Sequence, residues 1–369
     1  MLRSYFKTHS LLFILLGLLL QSCDDPSSTS NKEVLNTVER DTVYAKKKAE
    51  VVHRIDYDNT PVLNEVYVTA RDGVYSRQQP EEHSDQVTYY EYGQPLEVIE
   101  VNGNWLGIRE RVLRKFVKNG SNMESTAWEK IYVPRNATGK LSEITLLAKE
   151  LNIIVSLDTN GKTVYYEKGT PLPGYLKMEL IDKQTFYLKK RTAVSYLLAD
   201  TNTIRKENGV IRLPVNNGFK QYQDNNKPGV EDNVQEYNYV GRIDFLNAYV
   251  IAGFYWESWD YKLINKHSGA QEASFIDLPY ISYDKRRLIC ISANGYTSTA
   301  DLELYDIKNN KVSKVMSASF KNWMPVNATD LIFWGTDGSL YVAVLPMIKA
   351  FSPQEDTLNS CQYIRINVL

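Results

Sequence analysis

The chain has 369 residues and is nearly neutral, with 43 Lys and Arg against 44 Asp and Glu. At 43% hydrophobic and 24% charged it can bury a core, which excludes wholesale disorder. The charge balance, with no Lys/Arg stripe beyond short runs such as Lys46-Lys47-Lys48, excludes a general pull toward nucleic acid.

Arg3 and Lys7 make a basic start, and residues Leu11 to Leu20 are apolar throughout. Ten helical residues reach about 15 Å, half of a hydrocarbon layer about 30 Å thick. Residues 1–22 are therefore expected to be a signal peptide rather than a membrane span. The next residues, Leu20-Gln21-Ser22-Cys23, resemble the lipobox of bacterial lipoproteins. The resemblance implies cleavage before Cys23, lipidation of Cys23 and a membrane as partner through that anchor. Two or more acyl chains are needed for stable attachment, because one chain binds at only about 10⁴ M⁻¹. Asp24 and Asp25 resemble the signal that carries lipoproteins of the Bacteroidota to the cell surface, whereas in other Gram-negative groups an Asp there resembles a signal for inner-membrane retention; the Tyr- and Asn-rich composition leans to the first. The expected location is thus the outer membrane or cell surface, and the expected partner beyond the lipid is peptidoglycan or an envelope protein.

Residues 23–60 are polar and lack hydrophobic periodicity, so they read as a flexible tether. From Val62 onward, short apolar or alternating runs are separated by Asn-Gly at 102–103, 119–120, 160–161, 208–209, 217–218 and 294–295. Asp-Gly occurs at 72–73 and 337–338. Such pairs suit type I′ hairpin turns, which need positive φ at both central residues. With 26 tyrosines, whose rings pack well on pleated sheets, the body is expected to be all-β and mainly antiparallel. Leu141 to Leu151 is the one stretch with a helical pattern.

Within residues 62–137, Val74-Tyr75-Ser76-Arg77-Gln78-Gln79-Pro80 follows a strand-like Val66 to Ala70. Then come Tyr92-Gly93-Gln94-Pro95-Leu96 and, after the turn at Asn102-Gly103, Trp105-Leu106-Gly107-Ile108-Arg109. Ile131-Tyr132-Val133 closes the segment after an insertion of about 20 residues. The series resembles a bacterial SH3 (SH3b) domain, which implies a small SH3-like barrel. Leu96, Val98, Val101, Trp105 and Ile108 suit its interior. Tyr75, Tyr89, Tyr90, Trp105 and Tyr132 are the candidate ligand-binding aromatics, for a peptide or a glycan stem.

Residues 141–369 carry a weak repeat. Ala273-Ser274-Phe275 recurs 45 residues later as Ala318-Ser319-Phe320, and Pro279…Asp284 recurs as Pro325…Asp330. A period near 45 with about four strands suits a β-propeller blade, so this region reads as a larger, propeller-like domain. The run Phe254-Tyr255-Trp256-Glu257-Ser258-Trp259-Asp260-Tyr261 is too aromatic for all its rings to share one core face. Cys290 and Cys361 lie in strand-like runs, and an exported compartment permits either a disulfide or two buried thiols.

Catalytic motifs are missing, and although the many Asp and Glu residues leave carboxylate-only catalysis open, nothing singles out one pair. The histidines are His9, His53, His83 and His267, and neither His267 nor Cys290 stands in a Cys-His peptidase motif. No clustered Cys and His offer a zinc site, and no Gly-x-x-x-x-Gly-Lys-Ser/Thr phosphate loop or Gly-x-Ser-x-Gly elbow occurs. The expectation is a non-enzymatic envelope lipoprotein without metal or cofactor, acting by binding. The alternative is an inhibitor or immunity lipoprotein that blocks a toxin or lytic enzyme.

Overall fold

The computed structural model describes residues 51–118, 120–225, 234–326, 328–352 and 360–369; Cys23 and the signal segment lie outside the described residues. Among the described residues no helix is long and apolar enough to cross a membrane. The fold is all-β, with antiparallel ladders throughout.

The N-terminal sheet is built from β1 (His53–Arg54), β2 (Asn64–Val68), β3 (Val74–Arg77), β4 (Gln86–Tyr90), β5 (Pro95–Asn102), β6 (Trp105–Lys118), β7 (Ser121–Pro134) and β8 (Thr138–Gly139). Its order is β4-β3-β7-β6-β5-β2-β8, with β1 added on β7. The expected small barrel does not close. β4 pairs only with β3 and the two-residue β8 only with β2, so the two ends share no ladder. One face is nonetheless a dry core of Val68, Tyr90, Leu96, Val98, Leu106, Ile108, Val112, Ile131 and Val133. Val101 was expected there and is 55% exposed, because a register shift between Val98 and Glu100 precedes it near the strand's end. The last residues of the expected tether belong to the fold. β1 pairs with β7, the Ile55 amide donates to the Trp128 carbonyl at 2.9 Å, and the Tyr57 ring lies 4.3 Å from that of Trp128.

Leu141 to Leu151 forms no α-helix, only single 3₁₀ turns at Leu141–Glu143 and Ala148–Glu150. Distant side chains take the backbone groups that a helix would use. The Thr145 amide donates to Tyr92 Oη at 2.8 Å and its carbonyl accepts from Arg71 at 2.7 Å. The Leu146 amide and carbonyl both bond the Gln362 side chain, at 2.6 and 3.1 Å. Tertiary bonds thus outbid the i to i−4 ladder.

The rest of the chain continues with β9 (Ile153–Thr159), β10 (Lys162–Pro171), β11 (Leu176–Ile181), helix α1 (Lys183–Lys190) and β12 (Ala193–Val194). β13 (Lys206–Glu207), β14 (Val210–Val215) and β15 (Gly218–Gln223) make a small sheet. β16 (Gln235–Ile243), β17 (Ala248–Tyr255), β18 (Ser258–Asn265) and β19 (Gln271–Phe275) form a meander, the middle sheet. β20 (Tyr280–Ile281), β21 (Arg287–Asn294), β22 (Thr299–Lys308) and β23 (Lys311–Phe320) form a second meander, which β9 and β10 widen into the broad sheet by pairing on β23. Finally β24 (Trp323–Pro325), β25 (Ile332–Gly335), β26 (Leu340–Pro346), helix α2 (Met347–Ala350) and β27 (Gln362–Val368) bring in β11 and β12 to make the C-terminal sheet. Helix α1 starts where Asp182 accepts the Thr185 amide at 2.7 Å as N-cap.

These four sheets are stacked face on face, and strand alternation shows it. In β17, Val250 joins a core shared with the broad sheet's Leu288, Cys290, Tyr305 and Ile307. Its neighbours Tyr249 and Ile251 turn instead to Ile211 and Leu213 of the small sheet. In β21, Ile289 and Ile291 face the C-terminal sheet's Val342, Val344, Ile364 and Ile366. Strands buried on both faces, such as β26, carry no polar alternation at all. The 45-residue repeat has a structural meaning. Phe275 ends β19 and Phe320 ends β23, and each packs into the interface between its own sheet and the next. The outer face of the C-terminal sheet is covered by Phe186 of α1, not by the small sheet. Among the described residues no core cluster joins the small sheet to the C-terminal sheet.

Candidate functional site

In the β3–β4 hairpin, Tyr75 pairs across the ladder with Tyr89. Their rings are 5.0 Å apart at 55°, and the two residues are 47% and 45% exposed. Tyr89 is held in place by its hydroxyl, which donates to the Asp72 carbonyl at 2.8 Å. Gly73 sits at φ +71° beneath that ring, and a Cβ there would come 2.3 Å from Tyr89 Oη. The glycine is therefore needed twice, for the turn and for the ring.

Only this pair, of the five expected aromatics, forms an open surface together. Tyr90 is 1% exposed and points the other way, into the sheet's core. Its hydroxyl donates to Glu110 Oε2 at 2.8 Å, and burial, reinforced by that carboxylate, pushes its pKa far up. Tyr132 is likewise buried, with the Lys130 ammonium 5.7 Å from its ring. Neither offers a face to a ligand. Trp105 is half-buried at the start of β6, opposite Pro134. Adjacent residues of a strand face opposite sides, so Tyr89 and Tyr90 could not have shared a surface. That signal was in the sequence.

The second aromatic run becomes the β17–β18 hairpin, with Glu257 at φ +58° in its turn. Phe254 and Trp259 pair across it, and both are exposed, as is Trp256 at the tip. Tyr255 and Tyr261 are partly buried. On the opposite side, Tyr255 donates to Asp260 Oδ1 at 3.0 Å, and Asp260 also takes the Lys262 ammonium.

No group of three or more His, Cys, Asp or Glu among the described residues could hold a metal ion. Cys290 lies fully buried between the middle and broad sheets, and Cys361 lies beside the core under α1; no disulfide joins them. Burial, then the nearby Glu303, holds the Cys290 thiol well above its usual range, so it stays protonated and inert. Gly161-Lys162-Thr163 sits at the β9–β10 turn and leads into a strand, with Ser156 where a phosphate loop needs glycine. His267 contacts Asn216, at 3.1 Å from its Nδ1.

The β6–β7 ribbon is the remaining feature of note. Beyond the Arg111–Trp128 pair, among the described residues, the backbones of its strands pair only with each other, and Leu113, Phe116, Val117 and Met123 are exposed along it. At its root, Arg114 grips the buried Glu129 with two hydrogen bonds, Nη2 at 2.6 Å and Nε at 3.2 Å, and also reaches Gln78.

Comparison with protein-family models, curated proteins and solved structures finds no match.

Proposed function

We propose that this chain is a lipid-anchored cell-envelope protein that acts by binding rather than catalysis. Cys23 carries the anchor, at the outer membrane or cell surface, and the N-terminal sheet is an SH3b-like module. Its ligand is peptidoglycan peptide or an envelope protein, met by the Tyr75–Tyr89 pair. The observation that carries this reading is that pair. Two large aromatic faces lie open to water while one of them is fixed by a backbone hydrogen bond, so little rotamer freedom is lost on contact. The succession of β2, the β3–β4 hairpin, β5, β6, β7, a 3₁₀ turn at Arg135–Ala137 and β8 on β2 supports the SH3b-like reading.

Co-sedimentation of the full-length protein with purified sacculi tests it. Tyr75→Ala with Tyr89→Ala should weaken retention about thirty-fold, as loss of a 2 kcal/mol hot spot does, with an unchanged melting temperature. Wild-type protein that stays in the supernatant would reject the wall ligand. The inhibitor or immunity reading would then gain, since the β6–β7 ribbon with its exposed Leu113, Phe116, Val117 and Met123 suits insertion into a protein cleft.

A further inference from the structure

The broad sheet has one face that begins as core and ends as a polar floor, with Ser292 and Glu303 still buried near the covered end and Asp301, Ser317, Ser319, Ser156, Asp158 and Thr163 partly or fully exposed. Toward one end of its strands, Leu288, Cys290, Tyr305 and Ile307 are covered by the middle sheet. Further along, the same face carries two rows that can be read across the ladders. One runs Ser292, Asp301, Ser319, Ser156, Tyr165, and the other Glu303, Ser317, Asp158, Thr163. Their strand neighbours Ile291, Leu302, Leu304, Ala318 and Leu157 all face the opposite way, into the core under the C-terminal sheet. The alternation therefore fixes every one of these polar side chains on the same side.

A shallow cavity of about 160 Å³ lies on this floor, lined by Ser156, Asp158, Thr163, Asp301, Ser317 and Ser319 among others. Short Ser and Thr side chains leave the space, and the one Glu of the rows, Glu303, is drawn toward Tyr305 and Lys314. Ser156 and Ser319 hydrogen-bond each other at 2.9 Å, and Thr163 donates to Asp158 at 2.8 Å. Asp301 accepts from Asn294 at 2.8 Å and from Thr299 at 2.9 Å. Glu303 is matched by the Lys314 ammonium, but no ion pair among the described residues includes Asp158 or Asp301. Each carboxylate offers about four acceptor positions, so both keep lone pairs for outside donors.

Aromatic faces stand at both ends of the first row. Tyr165, on the edge strand β10, is 80% exposed. At the other end, Trp259 pairs with Phe254 on the face of the middle sheet whose Ala248 and Val250 pack on the broad sheet. It lies near enough to Asp277, as Ser292 does, to lower that carboxyl against the larger rise from burial, and its indole is 42% exposed. From β21 to β10 the floor spans four strand spacings, about 19 Å. Unpaired carboxylates repel phosphates, nucleic acid and acidic sugars. Hydroxyls and carboxylates between two flat apolar rings suit a ligand with many hydroxyl donors and apolar ring faces.

The geometry points to a binding site for an uncharged oligosaccharide, laid across β21, β22, β23, β9 and β10 between Trp259 and Tyr165. It is separate from the Tyr75–Tyr89 surface and does not depend on the reading of that surface.

Titration calorimetry of the full-length protein with cellotetraose, maltotetraose, mannotetraose and N-acetylchitotetraose tests the site. At least one of these neutral tetrasaccharides should bind, and tetragalacturonate should not. Tyr165→Ala and Asp158→Ala, both at positions outside the core, should each weaken binding about tenfold, as loss of one stacking face or one charged acceptor does. The Tyr75→Ala, Tyr89→Ala protein should bind as wild type. Absence of binding by all four neutral sugars at millimolar concentration would overturn the proposal. So would binding that both Tyr165→Ala and Asp158→Ala leave unchanged.

Discussion

Replacing Arg114 by Met should show how the long β6–β7 ribbon is fastened to its sheet. The guanidinium holds Glu129, whose side chain is 1% exposed, by two hydrogen bonds, and it bridges from there to Gln78. Methionine keeps most of the aliphatic volume and removes the charge, leaving a carboxylate out of water with no cation. Breaking a buried pair in this way costs about 3–5 kcal/mol. Arg114 is itself one-third exposed, so water can reach toward the gap, and the lower end, about 3 kcal/mol, is the expected loss. Urea unfolding should show a lower midpoint at an unchanged slope, because the area exposed on unfolding is nearly the same. Adding Glu129→Gln to Arg114→Met should recover at least half of the loss, since the amide carries no charge to bury. A loss below about 1 kcal/mol, or a double variant as weak as the single one, would refute the argument that Glu129 depends on Arg114.

Three further outcomes are expected. Cys23→Ser should shift the protein from the membrane to the soluble fraction and abolish labelling by a palmitate analogue; label that persists would remove the anchor. Burial raises the Asp277 carboxyl above its usual value, so the folded state binds that proton more tightly than the unfolded state. Its contribution is thus most favourable at low pH and is lost as pH rises through the folded value, so Asp277→Asn should flatten that part of the pH–stability curve. A curve of unchanged slope would count against it. A fragment of residues 51–140, which keeps β1 and β8, should melt cooperatively, whereas 62–137 should be less stable because it lacks both strands. Equal melting temperatures would show that these edge pairs add nothing.

Local chemistry in the sequence was enough for the class of the fold and for several of its turns. Asn160-Gly161 and Asn208-Gly209 each adopt positive φ at both positions and join adjacent strands, because the turn's demand is confined to those two residues. The repeated Ala-Ser-Phe marked equivalent strand ends for the same reason, as each Phe fills the next interface. Alternation also held enough to separate Tyr89 from Tyr90. What no local pattern contains is partner choice between distant strands. β9 joins β23 and β11 joins β27 across more than a hundred residues, and those pairings set which faces become floor and which become core. The polar floor is a case of this. Ser156, Asp158 and Thr163 look like ordinary hairpin residues until β9 docks beside Ser317 and Ser319. The same holds for Leu141 to Leu151, where Tyr92, Arg71 and Gln362 arrive from afar and claim the amides and carbonyls of a segment whose own apolar spacing favoured a helix. Short-range propensity is worth tenths of a kcal/mol per residue, and a few tertiary hydrogen bonds, most of them partly buried, exceed it.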